Sequence, residues 1–405
     1  MPYSNTPATY GSVTRFFHWL TALLILTAIP LGVIANDMAY DSSEALAAKA
    51  QLFSYHKTLG VAALLVGILR ILWALGQRAH PAPLHPDRKA ETMAAAVAHW
   101  LLYVSLVAVP LSGWVHHAAT TGFAPILWPF GQSLPFVPQS EIWAATAAAM
   151  HWVFTKLLVV TILAHILGAL KHSLFDKDAT LARMLRGTAA GPATTARNPG
   201  TRLPAIAALG IYAAGTVLAL ALTPAPQTAT ETAVQTTAPA SETQGNWQVE
   251  AGTLSLSVTQ LGNAVSGQFD RFDAEIRFDE TPVDGINGAV TVRIDTTSLT
   301  LGSVTAQAQG ADFLDTATHA TALFEAQILP DGEAYLAQGT LSLRGITMPV
   351  ALPFTLTIDG DRAQMTGETR LDRRDFGIGA AYPDAATVGT DVTIRVTLTA
   401  TRRAN

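Results

Sequence analysis

The stretch from His151 to Leu170 is apolar and about as long as a bilayer-spanning helix requires, yet it carries a histidine near each end, His151 and His165. The two lie 14 residues apart. At a rise of ~1.5 Å per residue, a helix separates them by roughly 21 Å. At about 100° per residue they fall within ~40° of one another, on one face. One helix then presents an imidazole near each side of a membrane, both pointing the same way. Two more histidines, His18 and His56, stand at the starts of two other apolar stretches.

Only 14% of the residues are charged, against about a quarter in ordinary globular chains, and the net charge is -5. This is the composition of a membrane protein. The balance is acidic and no basic stripe appears, which argues against nucleic acid as a partner. There is no cysteine, which excludes thiolate-held iron–sulfur clusters and covalent c-type haem. It also excludes disulfides, so an exported domain must be held by its own core. The first apolar run is long and lacks a small-residue cleavage site, so no cleaved signal peptide is expected.

Five apolar spans are predicted: Arg15 to Ile34, His56 to Leu75, Ala94 to Val115, His151 to Leu170, and Leu203 to Leu222. The loop after the first span holds Asp37, Asp41 and Glu44. The segments after the second and fourth hold Arg78, Arg88 and Lys89, and Lys171, Lys177, Arg183 and Arg186. The positive-inside rule therefore puts the N-terminus and the basic segments in the cytoplasm of a bacterial inner membrane. Arg197 and Arg202 precede the fifth span, so the chain beyond that span is periplasmic. Residues 1–190 read as a four-helix membrane domain, 191–222 as a connector and fifth helix, 223–245 as a flexible Thr/Ala/Pro linker, and 246–405 as a separate β domain. There, period-two alternation marks Leu254–Val258, Ala289–Ile294, Thr340–Leu343, Pro353–Ile358 and Val392–Leu398. About eight short strands in ~160 residues predict a closed antiparallel barrel. The fold class is thus multidomain: an all-α transmembrane bundle followed by an all-β, lipocalin-like barrel.

Depth pairs the histidines: His18 with His165 on the cytoplasmic side, His56 with His151 on the periplasmic side. Ionisable groups inside spans are rare and usually functional, and two pairs matched in depth form a layout for two non-covalent, bis-histidine b haems. His18, His56, His151 and His165 are the candidate metal ligands. His99 lies at cytoplasmic depth. It either replaces His18 or His165 as a ligand or hydrogen-bonds a haem propionate or a quinone. Arg15 and Arg70 suit propionates or anionic head groups, or act as positive-inside anchors. Gly60, one turn after His56, leaves room for a porphyrin edge. His80, His85, His116, His117 and His172 are expected at the surface, with no acidic partner to complete a copper or zinc site. Asp372, Arg373, Arg374 and Asp375 read as a solvated hairpin.

Arg15-Phe-Phe-His-Trp19, Tyr55-His-Lys-Thr-Leu-Gly60, Ala98-His-Trp-Leu-Leu-Tyr103 with Pro110-Leu-Ser-Gly-Trp114, and His151 through His165 to Phe175-Asp-Lys-Asp178 resemble the bacterial cytochrome b561 family over residues 10–186. The resemblance implies a di-haem b protein moving electrons across the inner membrane, with quinone as one partner and His18, His56, His151 and His165 as ligands. Members of that family have been linked to superoxide oxidation. Val265-Ser-Gly-Gln-Phe-Asp-Arg-Phe272, Ala311-Asp-Phe-Leu-Asp315, Ala322-Leu-Phe324, Gly339-Thr-Leu-Ser-Leu-Arg-Gly345 and Leu371-Asp-Arg-Arg-Asp-Phe-Gly-Ile378 resemble the YceI-like family over 246–401. That resemblance implies a barrel whose apolar lumen holds an isoprenoid, such as a ubiquinone tail. An eight-stranded barrel is wide enough for one small ligand. Phe269, Phe272, Phe313, Phe324 and Phe376 are the candidate lipid contacts. Together with Phe278 they have an ordinary core role as the alternative, with at most half of the six lining a ligand.

The combined expectation is a di-haem electron-transfer protein working between the quinone pool and a periplasmic redox partner, with an isoprenoid- or quinone-binding barrel. The rival readings are a superoxide:quinone oxidoreductase and a lipid carrier with a redox-sensing haem module. No Ser-His-Asp set, phosphate loop or metalloprotease motif competes.

Overall fold

The structure is a computed structural model, and residues 2–120, 123–190, 202–223 and 245–403 are described. The expected linker, apart from its end residues Thr223 and Gly245, lies outside these residues, as do 191–201 of the expected connector. The chain divides into two compact units, one mainly helical and one mainly the β-barrel, with Met38–Ala50 grouped in the second.

The helical unit contains α1 (Ser12–Asp37), α2 (Ser43–Leu75), α3 (Lys89–Ala119), α4 (Glu141–Lys171), α5 (Thr180–Leu185) and α6 (Arg202–Leu222). Five of these helices are long and apolar enough to cross a membrane, as five spans were expected. Two begin earlier than hydropathy suggested. α2 starts at Ser43, not His56, because Glu44 to Ala50 are strong helix formers and the Ser42 hydroxyl caps the Ala45 N–H at 3.2 Å. α4 starts at Glu141 through an alanine-rich turn. His56 and His151 therefore sit several turns inside their helices, where the backbone is firmly held.

The fifth long helix packs against α3 and α4. The Tyr212 hydroxyl lies 2.5 Å from Ser105 Oγ, and its ring is 5.1 Å from that of Phe154. Gly215 faces Val153 and Leu157, an approach that only a small residue permits.

The second unit contains β1 (Trp247–Gln260), β2 (Asn263–Phe269), β3 (Phe272–Val283), β4 (Ile286–Asp295), β5 (Leu299–Thr300), α7 (Thr305–Gln309), β6 (Thr321–Asp331), β7 (Ala334–Leu343), β8 (Ile346–Asp359), β9 (Arg362–Asp372) and β10 (Val388–Arg402). β2 and β3 follow one another along one flank of β1. The ladder then runs through β4, β6, β7, β8, β9 and β10, and β10 pairs antiparallel with β1 from Trp247↔Arg402 to Gln260↔Val388, closing an eight-position barrel. This is the closed antiparallel barrel read from the alternation. Two-residue turns set the register. Leu261-Gly262 and Asp284-Gly285 both adopt positive φ at each residue, the type I′ conformation that matches strand twist.

Candidate functional site

The two histidine pairs meet. The His56 and His151 ring centres lie 6.1 Å apart, and those of His18 and His165 lie 6.2 Å apart. A metal bonded at about 2 Å to one nitrogen of each imidazole sets the ring centres roughly 6 Å apart. Both separations fit that arrangement.

The outer pair carries a second sign of fit. His56 Nδ1 is 2.8 Å from the Ala28 carbonyl on α1, and His151 Nδ1 is 2.9 Å from the Val109 carbonyl on α3. An Nδ1–H donated to a carbonyl fixes the tautomer and leaves Nε2 as the free donor for a metal. In both cases the acceptor is four residues before a glycine, Gly32 or Gly113. A Cβ on Gly32 would fall 2.8 Å from the His56 ring, and one on Gly113 3.0 Å from the His151 ring. Each imidazole thus rests against bare helix backbone and reaches the carbonyl one turn below. Sequence reasoning did not single out either glycine. The available signal was an isolated glycine inside an apolar helical pattern, which usually has a packing reason. Gly60 has no heavy atom within 4 Å of where its side chain would begin.

The inner pair is bounded differently. Arg70 on α2 donates to Thr21 Oγ1 at 2.5 Å, its Nη2 lies 3.4 Å from His18 Nδ1, and its guanidinium is 5.5 Å from the centre of the Tyr103 ring. His99 stands edge-to-face on His165 with ring centres 5.2 Å apart. That is shorter than two imidazoles on opposite sides of a metal require, so the contact does not have the spacing of a His99–His165 ligand pair. Arg15 donates to the carbonyl of Leu185, the last residue of α5, at 3.3 Å.

Three surface expectations need correction. His117 is buried, with Nε2 2.9 Å from Gln132 Oε1 and Nδ1 3.3 Å from Lys57 Nζ, and His116 Nδ1 lies 3.0 Å from the Ala144 carbonyl. Both face protein partners because α3 continues to Ala119 and carries them inside. His85 and His172 do have acidic partners, Asp176 and Asp178. Arg373 is not part of a solvated hairpin. It is buried and donates to the carbonyls of Gly389, Ile378, Gly379, Tyr382 and Val388. Its planar fork satisfies loop carbonyls, most of which would otherwise lie buried and unpaired. Arg374 pairs outward with Asp372, and that contact holds the Asp372 carboxyl down at about 2.

The barrel encloses a cavity of about 300 Å³ whose wall is almost wholly apolar. Alternate residues supply it: Leu254, Leu256 and Val258 on β1, Val350, Leu352, Phe354 and Leu356 on β8, and Val392, Ile394, Val396 and Leu398 on β10. Phe269, Phe272, Phe313, Phe324 and Phe376 all line it, as does Phe278. Such a lumen can shield a hydrocarbon chain and offers few polar groups to a head group.

Comparison with known proteins bears on both units. Residues 9–187 match the family model described as prokaryotic cytochrome b561, and residues 246–400 match the YceI-like domain. The chain is 30% identical over 186 residues to cytochrome b561 homolog 2 of Escherichia coli K12, covering 46% of this chain and 95% of that protein. It is 31% identical over 137 residues to a UPF0312 protein of Vibrio cholerae serotype O1, covering 31% of this chain and 71% of the relative. Among solved structures it resembles BcnA of Burkholderia cenocepacia at 28% identity, with a TM-score of 0.35, over 37% of this chain and 96% of that one.

Proposed function

The chain belongs to the prokaryotic cytochrome b561 family of membrane electron-transfer proteins, which implies haem b, and carries a YceI-like barrel behind that module; from this premise we propose a di-haem relay between the quinone pool and a periplasmic redox partner. The observation that carries the reading is the pair of imidazole couples, with ring centres 6.1 and 6.2 Å apart, supplied at two depths by His151 and His165 of one helix. His56 and His151 would hold the outer haem, and His18 and His165 the inner one. Bound there, haem b supplies reversible one-electron chemistry. With two imidazoles given to each haem by the protein, the groups held there would serve electron transfer and not oxygen binding. Ala28 and Val109 orient the outer imidazoles. Arg70 brings a fixed positive charge to the inner pair, suited to a propionate. His99 packs on His165 and bounds the inner site.

We assign the N-terminus and the basic ends of α2 and α4 to the cytoplasm and the barrel to the periplasm of the inner membrane. Support comes from Arg78, Arg88, Lys89, Lys171, Lys177, Arg183 and Arg186 at or just beyond those ends, against Asp37 at the end of α1, Asp41 after it and Glu44 in the first turn of α2. On this reading residues 1–190 are the di-haem domain and 246–405 the exported barrel. The lumen binds the isoprenoid tail of a quinone or a related lipid, with Phe269, Phe272, Phe313, Phe324 and Phe376 on its wall.

The test is electron transfer across a sealed vesicle. Wild-type protein is placed in liposomes that trap a membrane-impermeant oxidant, and a long-chain quinol is added outside. The trapped oxidant should be reduced, and His151→Ala and His165→Ala should each stop it. A rate in either variant equal to wild type would overturn the relay.

A further inference from the structure

The Phe175-Asp-Lys-Asp178 stretch has no part in the relay, yet the backbone is folded specially around it. At the end of α4 the chain does not stop but widens into a π-helical turn, His172–Asp176. Such turns are rare and frequently mark functional sites. Lys177 then adopts a left-handed conformation (φ 55°), and the chain turns back so that the Asp178 N–H bonds the His172 carbonyl at 3.1 Å. The result gathers His172, Asp176 and Asp178 around one point.

His85 completes the group from the connection between α2 and α3. Its Nε2 is 3.0 Å from Asp178 Oδ2, and its ring stacks on that of His172 at 5.9 Å and 10°. His172 Nδ1 lies 2.7 Å from the same carboxylate oxygen and 3.1 Å from Asp176 Oδ2. One ligand atom from each of the four residues lies within 4.8 Å of every other. Tetrahedral bonds of about 2.0–2.2 Å place neighbouring ligand atoms roughly 3.4 Å apart, so the 2.7–3.1 Å contacts would open slightly and the longer separations close to form a coordination shell. The carboxylate side chains are only 12% and 11% exposed, and the imidazoles 24% and 31%. Arg88 at 3.0 Å and Lys171 at 3.1 Å hold Asp176 from the outer side. Asp176 Oδ2 is buried, with Lys171 Nζ and His172 Nδ1 each 3.1 Å away.

We propose that His85, His172, Asp176 and Asp178 bind one first-row divalent cation of the zinc class, clipping the α2–α3 connection to the end of α4. Two imidazoles and two carboxylates form the mixed N/O set that zinc accepts, whereas magnesium and calcium favour all-oxygen shells. Four protein ligands make a closed, structural site. It lies two turns beyond His165, so it steadies the inner end of that helix.

The test uses full-length protein without a histidine tag, stripped by chelator and dialysed against micromolar Zn²⁺, with metal counted by mass spectrometry so that zinc is resolved from haem iron. Wild type should retain one zinc per chain. His85→Gln and Asp178→Asn should bind it more weakly by at least the roughly 10–100-fold seen for second-sphere changes. His80→Gln, at an exposed position outside the cluster, should match wild type. An unchanged haem spectrum in each variant establishes that the bundle is folded. If wild type retains no zinc, or the His85 and Asp178 variants retain as much as wild type, the cluster is an ion-pair network only and the proposal falls.

Discussion

Gly32 offers a direct way to disturb the outer histidine pair without touching a ligand. In Gly32→Ala the new Cβ would stand 2.8 Å from Cε1 and Nδ1 of His56, well inside the 3.4–4 Å of ordinary van der Waals contact. The ring cannot simply swing away, because Nδ1 is tied to the Ala28 carbonyl at 2.8 Å. Relief must come from a displaced ring or a shifted helix, and overpacking of this kind costs about 1–3 kcal/mol. Placed on the liganded geometry, that cost weakens haem binding at His56/His151 by roughly 5- to 150-fold. The inner pair lies on other helical turns and should keep its affinity. Haem content by pyridine haemochrome, combined with a redox titration, should show one component depleted and the other intact. Gly210→Ala on α6, where a Cβ meets nothing within 4 Å, is the control and should lose neither. Full retention of both components at wild-type affinity in Gly32→Ala would refute the idea that Gly32 seats His56. Depletion of the component that His165→Ala removes would refute the pairing itself.

Arg373→Met should lower the barrel's unfolding temperature, since five carbonyls lose its guanidinium and only that of Gly379 is seen to keep another donor, the Tyr382 N–H, at about 1–3 kcal/mol for each buried one left without a partner; calorimetry giving a wild-type transition would contradict that role. The lumen should favour longer isoprenoid chains by about 0.8 kcal/mol per buried CH₂ until its 300 Å³ are filled, and mass spectrometry of lipids bound from a mixed-length pool should show a chain-length plateau rather than indifference. The Asp372 carboxyl is held down at about 2 by its Arg374 partner. A depressed carboxylate stabilises the fold above its ordinary value of 3.8 and loses that contribution as pH falls toward about 2. Asp372→Asn should therefore flatten the acid limb of barrel stability below pH 3.8 and leave neutral stability with a smaller dependence on pH; an acid limb identical to wild type would count against it.

What was legible in the chain came from period and depth. A helix advances at a fixed rise and angle, so His151 and His165 could be matched with His56 and His18 from spacing alone, and the structure brings those rings together. Alternation in Pro353–Ile358 and Val392–Leu398 likewise marked the strands whose alternate residues line the lumen. The rest depended on long-range placement that local pattern does not carry. His85 meets Asp178 across 93 residues, and Asp178 reaches His172 because the chain reverses at the left-handed Lys177. Arg373 looked solvated because its neighbours are charged, whereas its partners are carbonyls up to 16 positions away. The start of α2 was obscured because an alanine-rich, charge-bearing turn is helical without being hydropathic. Gly32 and Gly113 were invisible because what they make room for lies on another helix.

On the proposed relay this bundle would hold two haems between four histidines, one couple at each depth. Pyridine haemochrome analysis with low-temperature EPR on purified wild type, His151→Ala and His165→Ala tests it most directly. Wild type should carry about two haems per chain with a wholly low-spin, bis-histidine signature. Each variant should keep one, the surviving signal differing between the two at preserved helicity. A wild-type ratio near one, or a high-spin majority, would contradict it.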